Sequence, residues 1–276
     1  IPLIRGGHVS VPMENLIEEA KGLAKQGVKE LILIAQDLTY YGHDLDGKSH
    51  FMDLVKALCE IDGFEWVRLH YGYPLGFPDE LLDLMRENPK ICHYIDLPLQ
   101  HVSTHILQAM RRGGDREQTI GFARKVRKHV PDIAFRTTFI VGFPGETEAD
   151  FAELCQFVTD MRFERVGVFA YSPEEGTPAY ELRDDVPDEM KQERVDKLMA
   201  LQQDISLEIN NKRVGRVEKV LIDRLEGDYY VARSQYDSPE VDDEILIAAK
   251  YDLEVGGFVN VKITQADFFD CYAEPV

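Results

Sequence analysis

Residues 135–147 combine a cation, hydroxyl groups and glycines in a pattern that suits the binding of a polar small molecule. Arg136 stands at the start of a predicted buried strand, Thr138 follows it, and Gly142 lets the backbone bend and lets another group approach closely. Thr147 is a suitable N-cap for the helix predicted to begin directly after it. A strand, a glycine turn and a helix N-terminus together favour a ligand site at the strand's carboxyl end. The alternative is an ordinary strand-to-helix turn without a ligand.

Polar residues also follow the other predicted strands, and ligands of parallel α/β proteins collect at the carboxyl ends of strands. We therefore expect a polar ring above Arg136 that contains Gln36, Asp37, His70, Tyr71, Gln100, His101, Tyr171 and Ser172. The sequence has no nucleophile–histidine–acid order, phosphate loop or metal-ligand cluster, so a reactive cofactor fits this ring better than side-chain catalysis. Three alternatives stay open: structural roles for His70 and His101, and an ion pair of Arg136 with Asp96.

The elements that must position these residues alternate between strand and helix. Apolar runs of strand length lie near residues 30–35, 66–71, 94–98, 133–141 and 166–171, and amphipathic helices separate them. Repetition at roughly 30-residue spacing predicts a parallel α/β fold. A full eight-unit barrel has about 250 residues, so five units indicate a partial TIM-type (β/α) barrel. We expect at least one further unit upstream of Ile1.

The pattern changes after a long helix predicted over residues 188–210. Short alternating strands follow, at residues 217–222, 229–233, 245–247, 258–263 and 269–272. Five such strands in a short stretch predict a small closed antiparallel β-barrel. We therefore divide the chain into residues 1–210 and residues 211–276.

Composition restricts the class of protein and of partner. The net charge of −19 disfavours strong binding of nucleic acid, and it suits either solubility or a basic macromolecular partner. No apolar run reaches the length of a membrane span. Four cysteines without a C-x-x-C pair favour reduced thiols in a cytoplasmic protein over disulfides or a metal site; they are Cys59, Cys92, Cys155 and Cys271.

Several segments together resemble the radical S-adenosylmethionine methylthiotransferase family over essentially the whole chain. They are I-P-L-I-R-G, A-Q-D-L-T-Y-Y-G, L-P-L-Q-H-V-S, M-R-R-G and R-T-T-F-I-V-G-F-P-G-E-T. In that family a C-x-x-x-C-x-x-C loop that holds a 4Fe-4S cluster directly precedes I-P-x-x-R-G, and an N-terminal domain holds a second cluster. The resemblance therefore implies cluster cysteines upstream of Ile1, none among the cysteines of this chain, and no activity for this chain alone.

The resemblance also implies a binding site for S-adenosylmethionine. The methionyl end is expected at Gln36 and Asp37, and the ribose and other polar groups at Gln100 and Ser103. The carboxylate and its neighbours are expected at Arg136 and Thr138, and the adenine along Ile140 to Gly142, with Tyr171 as a further contact. In the family the cluster cleaves the cofactor reductively to a 5′-deoxyadenosyl radical, which abstracts hydrogen from an unactivated carbon. Sulfur and a methyl group are then installed there, so no side chain is assigned as catalytic.

The family has two branches with different substrates. One branch modifies an adenosine in tRNA, and the other methylthiolates the β-carbon of an aspartate in the twelfth protein of the small ribosomal subunit. The C-terminal barrel resembles the TRAM domain, which usually binds RNA, yet acids outnumber bases in it. The acids are Glu218, Asp223, Glu226, Asp228, Asp237, Glu240, Asp242, Asp243, Glu244, Asp252, Glu254, Asp267, Asp270 and Glu274, and the bases are Lys212, Arg213, Arg216, Lys219, Arg224, Arg233, Lys250 and Lys262.

This charge balance favours the protein-modifying branch, because an acidic surface repels phosphate and attracts a basic ribosomal protein. The expected partners are that protein and an electron donor, without strong nucleic-acid binding and without a membrane. The alternatives are the tRNA branch and a non-catalytic protein-docking module.

Overall fold

A computed structural model describes residues 6–276, so the opening motif at Ile1 to Arg5 lies outside the described residues. The N-terminal part contains α1 (Met13–Lys25), β1 (Glu30–Ile34), a 3₁₀ turn (Leu38–Tyr40), α2 (His43–Asp46), α3 (Phe51–Cys59), β2 (Trp66–His70), α4 (Asp79–Glu87), β3 (Tyr94–Asp96), α5 (Thr104–Ala109), α6 (Arg116–His129), β4 (Ala134–Val141), α7 (Glu148–Met161), β5 (Arg165–Ala170) and α8 (Asp188–Asn211). The C-terminal part contains β6 (Val217–Glu226), β7 (Tyr229–Ser234), β8 (Ile245–Ala248), β9 (Phe258–Ala266) and β10 (Cys271–Pro275). Within the described range, no helix has the length and apolar character that crossing a membrane requires.

The five predicted parallel strands are confirmed, and they form two adjoining sheets. β1 pairs with β2, while β3, β4 and β5 form a second sheet, and all these pairs are parallel. A single bridge between Val67 and Ile91 connects the two sheets near β2 and β3. Alternation of strand and helix places the helices against one face of the sheets, as in other parallel α/β folds.

The residues of each strand alternate between this helical layer and the opposite face, which we call the inner face. On β4, Phe135 and Phe139 are fully buried in the hydrophobic core with the helices. Arg136, Thr138 and Ile140 lie on the inner face and are only partly buried. In the parallel register they are paired with Arg165, Gly167 and Phe169 of β5. The inner face therefore carries charged and polar residues near the start of the strands and open apolar residues near their carboxyl ends.

The turn after β4 forms as its sequence predicts. Thr147 is the N-cap of α7, and its hydroxyl accepts a hydrogen bond from the backbone N–H of Asp150. The carboxylate of Asp150 in turn accepts from the backbone N–H of Thr147, which completes a capping box. The helix therefore begins at a defined residue directly after the glycine turn.

The C-terminal barrel closes in the order β10-β8-β7-β6-β9, which confirms a small five-stranded barrel. The barrel is antiparallel as predicted except at one strand pair, where β10 runs parallel to β8 with Cys271 opposite Ile245. The other four strand pairs are antiparallel. A closed barrel with an odd number of strands cannot alternate direction throughout, so one parallel pair is unavoidable.

An apolar contact joins the two parts at the amino end of the parallel strands. Trp66 and Tyr94 of the inner face pack with Leu221 and Phe258 of the C-terminal barrel. The rings of Trp66 and Phe258 meet edge to face with their centroids 4.7 Å apart. The β7–β8 loop, residues 235–244, continues this contact into the interior of the parallel strands.

Arginines on the inner face bind this loop through buried ion pairs and hydrogen bonds. Arg68 is fully buried and donates hydrogen bonds to the carbonyl oxygens of Gln235 and Ser234 at 2.9 and 3.3 Å. Arg165 contacts the carboxylates of Asp237 and Asp243 at 2.6 and 3.2 Å. Burial alone would raise the pKa of Asp237, but Arg213 and Arg165 lower it below its ordinary value. Asp237 is therefore held as a carboxylate between two arginines.

These contacts predict that replacing a buried arginine lowers the free energy of unfolding far more than replacing an exposed one. Arg165→Ala leaves the buried Asp237 and Asp243 short of a partner, and we expect it to lower the free energy of unfolding by about 3–5 kcal/mol. Arg224 also has two carboxylate partners, Glu226 and Glu244, but it is exposed. Arg224→Ala should therefore cost less than about 1 kcal/mol. Urea denaturation of both variants measures the difference, and equal losses would contradict a buried charge network.

Candidate functional site

Gln100 lies between two of the predicted site residues of β4. Its backbone N–H donates to the carbonyl of Thr138, and its carbonyl accepts from the N–H of Ile140, both at 2.8 Å. Gln100 has a φ of 69°, an uncommon conformation for a residue other than glycine. The Oε1 atom of its side chain is buried and has no hydrogen-bond partner among the described residues. A buried acceptor without a partner is costly unless a ligand supplies the donor.

Thr138 lies beside an open space on the inner face. A methyl group built on Gly167 would be 3.6 Å from the Oγ1 atom of Thr138, so the glycine leaves this hydroxyl accessible. Farther along the strands, Phe169 and Ile34 are 61% and 66% exposed, which is unusual for large apolar residues on the inside of a barrel-like fold. Our sequence analysis did not single out Gly167, Phe169 and Ile34 as site residues. The two-residue alternation of the strands was the signal that could have identified them.

Arg136 occupies the floor of this space. Its Nε atom donates to the Oδ1 atom of Asp242 at 3.1 Å, and its Nη1 atom lies 3.6 Å from the Oδ1 atom of Asp96. The ion pair with Asp96, one of the predicted alternatives, is thus confirmed, whereas the partner from the C-terminal barrel was not foreseen. Burial raises the pKa of Asp96 to about 6, although Arg136 opposes this rise. The arginine side chain stays 19% exposed, and neither of its Nη atoms is a buried atom without a partner.

Gln36 and Asp37 lie at the carboxyl end of β1, in the other sheet. Gln36 is exposed, whereas Asp37 caps the 3₁₀ turn by accepting hydrogen bonds from the backbone N–H and hydroxyl of Thr39 at 3.0 and 2.6 Å. The next residue, Leu38, donates its N–H to the carbonyl of Tyr71 at the end of β2. Gln36 and Asp37 therefore follow the carboxyl end of β1 as predicted, and their contact with a methionyl group stays a prediction.

Ser103 has a partner outside the inner face. It is buried, and its hydroxyl donates to the Oδ1 atom of Asp150 at 2.5 Å, at the start of α7. Its backbone N–H donates to the Nδ1 atom of His101. Ser103 therefore links the segment after β3 to the start of α7. Its predicted contact with a ribose stays a prediction that this geometry does not favour.

Gly142 and Tyr171 contact α8 and the loop before it. Gly142 has a φ of 72°, and a methyl group there would overlap the Cγ atom of Lys191. The hydroxyl of Tyr171 donates to the carbonyl of Ala179 at 3.0 Å, and the Nζ atom of Lys191 lies 5.6 Å from its ring centroid. The expected close approach to Gly142 is therefore made by a lysine side chain of the same chain. Cofactor contacts of both residues stay predictions.

Both histidines have the structural environment that was predicted as an alternative. The Nε2 atom of His70 lies 3.0 Å from the hydroxyl of Ser238 in the β7–β8 loop. His101 is completely buried and accepts the Ser103 N–H on Nδ1. Burial lowers the pKa of each imidazole to about 4, so both rings are neutral at pH 7.

The donor set fits an amino acid nucleoside better than a metal cluster. The Gln100 amide, the Thr138 hydroxyl and the Arg136 guanidinium suit the polar groups of S-adenosylmethionine. Across residues 6–276, no three side chains of His, Cys, Asp or Glu are grouped closely enough to hold a metal ion. The described residues therefore offer partners for the organic cofactor and no ligand set for an iron–sulfur cluster.

The surface of the C-terminal barrel is less acidic than its composition suggests. Asp237, Asp242 and Asp243 belong to the contact with the inner face, where arginines bind them. The exposed acids are Glu226, Asp228, Glu240, Asp252, Glu254, Asp267 and Glu274, the partly exposed acids include Asp223, Glu244 and Asp270, and the exposed bases are Lys212, Arg216, Lys219, Arg224, Lys250 and Lys262. The surface of this barrel therefore keeps an excess of acids, although three of the acids counted from the sequence lie at the interface.

The contact between Gly142 and Lys191 makes a stability prediction. Gly142→Ala should lower the free energy of unfolding by about 2–5 kcal/mol, because backbone strain and overlap with Lys191 add. Gly27 has a φ of 87° with open space around it, so Gly27→Ala should cost only the strain, about 1–2 kcal/mol. Adding Lys191→Ala should reduce the cost of Gly142→Ala. A cost that is independent of Lys191 in thermal or urea denaturation would contradict this packing.

The buried His101 predicts a loss of stability in mild acid. Its folded-state pKa of about 4 lies below its ordinary value of 6.5, so the unfolded state binds more protons between these values. Stability should therefore fall as the pH decreases through this window, by up to about 2 kcal/mol at pH 5 from this group. His101→Asn keeps an acceptor for the Ser103 N–H and removes the titration. Urea denaturation at pH 7.5 and pH 5 should show a smaller pH-dependent loss of unfolding free energy in the variant. Equal losses in both proteins would contradict a contribution from His101.

Comparison with known proteins agrees with this geometry. Residues 3–158 match the radical SAM superfamily, and residues 214–276 match the TRAM domain. The solved structure of coproporphyrinogen III oxidase (HemN) from Escherichia coli, a radical SAM enzyme, superposes with a TM-score of 0.52 at 15% identity. The superposition covers 82% of this chain and 62% of that one, and it supports the fold alone.

Relatives of much higher identity match the whole chain. The ribosomal protein uS12 methylthiotransferase RimO of Flavobacterium johnsoniae is 55% identical over 276 residues, and that of Bacteroides thetaiotaomicron is 50% identical over 276 residues. The matches cover 100% and 99% of this chain but 63% of each relative, so the chain spans less than two thirds of their length. The match to the radical SAM superfamily alone covers more than half of the chain and includes β1 to β4. The chain therefore belongs to the radical SAM superfamily and carries a TRAM domain at its carboxyl end.

Proposed function

We propose that the complete protein is a radical S-adenosylmethionine methylthiotransferase that modifies the β-carbon of an aspartate in ribosomal protein uS12. The observation that carries this proposal is the identity of 50–55% along the whole chain with proteins named uS12 methylthiotransferase. The site residues of this chain lie within that match. A uS12 substrate and an oxygen-sensitive cluster suit the cytoplasm, and the reaction requires an electron donor.

The cofactor site proposed here centres on Gln100, Thr138 and Arg136. When bound, S-adenosylmethionine supplies the radical chemistry and the methyl group, together with clusters whose ligands lie outside the described residues. The chain's own residues bind and orient it: Gln100 offers an unpaired acceptor, Thr138 a hydroxyl, and Arg136 a cation for a carboxylate. Ile140 and Phe169 provide the apolar side of the space, which shields the reacting groups from water.

The charge of the whole chain supports a basic protein substrate. The net charge of −19 attracts a basic ribosomal protein and repels RNA. Since several acids of the C-terminal barrel are buried at the interface, this attraction is assigned to the whole molecule and not to the barrel alone. One observation favours the rival tRNA substrate: Lys212 and Arg216 are exposed beside the junction with α8 and form no ion pair within residues 6–276.

The substrate can be identified directly with the complete protein, reconstituted anaerobically with iron and sulfide. It is incubated with S-adenosylmethionine, a reductant and either uS12 or tRNA, and both products are analysed by mass spectrometry. We expect the mass gain of one methylthio group on an aspartate of uS12. A mass gain on tRNA adenosine alone would show that the protein belongs to the tRNA-modifying branch. Binding without modification of either substrate would favour a docking module.

Replacement of Gln100 tests the cofactor site within the same protein. Gln100→Met keeps the size of the side chain but removes the unpaired acceptor, so the affinity for S-adenosylmethionine should fall roughly tenfold. Gln108→Met on the exposed side of α5 is the matched control and should change nothing. Equal affinities of the two variants, measured by equilibrium binding, would place the cofactor elsewhere.

A further inference from the structure

The β7–β8 loop of the TRAM domain forms part of the floor of the cofactor site. Ser238 contacts His70 on β2, and Asp242 contacts Tyr94 on β3 and Arg136 on β4. His70, Tyr94 and Arg136 all belong to the inner face, opposite the helical layer. The loop therefore enters the space between the strands from their amino end. It reaches the residue directly below Thr138.

Three hydrogen bonds hold the carboxylate of Asp242 in a buried position. Its side chain is completely buried, and its Oδ2 atom accepts from the hydroxyl of Tyr94 at 2.7 Å and from the N–H of Ser238 at 2.8 Å. Its Oδ1 atom accepts from the Nε of Arg136 at 3.1 Å. Three donors from three elements thus determine where this carboxylate lies. A carboxylate in such a position can in turn orient the group that it binds.

The contact leaves one side of the Arg136 guanidinium available. Nε is bound to Asp242 and Nη1 lies 3.6 Å from Asp96, while Nη2 makes no hydrogen bond to any described residue. Nη2 also keeps contact with solvent, because it has no partner and is not one of the buried side-chain atoms that lack one. An arginine oriented at Nε presents its Nη atoms in a plane, which is the geometry that binds a carboxylate.

We propose that Asp242 of the TRAM domain is a positioning residue for the cofactor site, acting through Arg136. It holds Nε so that the Nη groups are directed to the carboxylate of the amino acid part of the cofactor. This inference rests on the proposed function, because it takes the ligand to be S-adenosylmethionine. It adds that the C-terminal barrel completes the site and is not only an attached binding module.

The test compares two ligands that differ in the carboxylate. S-adenosylhomocysteine carries it, whereas 5′-methylthioadenosine lacks the amino acid part of that ligand. In the complete reconstituted protein, Asp242→Asn should weaken the binding of S-adenosylhomocysteine about tenfold and that of 5′-methylthioadenosine less than about twofold. Glu240→Gln, on the exposed part of the same loop, is the matched control and should weaken neither. Thermal unfolding of each variant shows whether the fold is retained.

The two residues should also act as one unit. Arg136→Gln alone should weaken the binding of S-adenosylhomocysteine at least as much as Asp242→Asn does. The double variant should bind this ligand no more weakly than Arg136→Gln. Additive losses, equal losses for both ligands, or no loss in Asp242→Asn would each overturn the proposal. If the unchanged protein binds S-adenosylhomocysteine but modifies neither uS12 nor tRNA, the proposed function fails while this inference stands. If it binds neither ligand, both fail.

Discussion

The buried ion pairs beneath the parallel strands are the constraint on which the rest of the structure depends. Apolar residues usually fill the interior of a barrel of parallel strands, but here Arg68 and Arg165 occupy inward positions and are buried. A buried guanidinium without partners is strongly unfavourable. The β7–β8 loop supplies Arg165 with Asp237 and Asp243, and it gives Arg68 a backbone carbonyl in addition to the carboxylate of Glu30 on β1. The two parts of the chain are therefore coupled by buried charges that contact each other across the interface.

Because of this coupling, the two ends of the inner face differ: the amino end is closed and the carboxyl end is open. The amino end is closed by the loop and by apolar packing of Trp66 on Phe258. The carboxyl end stays open, with exposed Ile34 and Phe169 around the hydroxyl of Thr138. Closure from below leaves only the upper part of the space open to a ligand. In the proposed cofactor site, the TRAM domain therefore contributes from the side opposite to the opening.

Much of the fold was predictable from local patterns, because strand and helix periodicity are local properties. The five parallel strands, the Thr147 cap and the small closed barrel were all predicted, and the Arg136–Asp96 pair was one of two interpretations. The parallel pairing of β8 and β10 was missed, because it follows from the strand number in the closed barrel and not from any one strand.

The long-range contacts of the site were not predictable from residue types alone. Gly142 was expected to make room for a ligand, but the room is taken by Lys191, which lies far along the chain on α8. The acid count of the TRAM domain pointed to an acidic surface, yet Asp237 and Asp242 are buried at the interface. The sequence shows which residues are charged but not which residues they contact. Only the structure therefore distinguishes an acid at the surface from one that is buried in an ion pair.

Hydrogen–deuterium exchange of the complete protein, followed by mass spectrometry at neutral pH, tests the central claim most directly. If the loop is an integral part of the parallel-strand domain, peptides from residues 229–245 and from β4 should lose protection together as urea is added. Both should then follow one cooperative opening. If the TRAM domain keeps its protection after β4 has exchanged, or opens well before it, the two parts are independent and the account is contradicted.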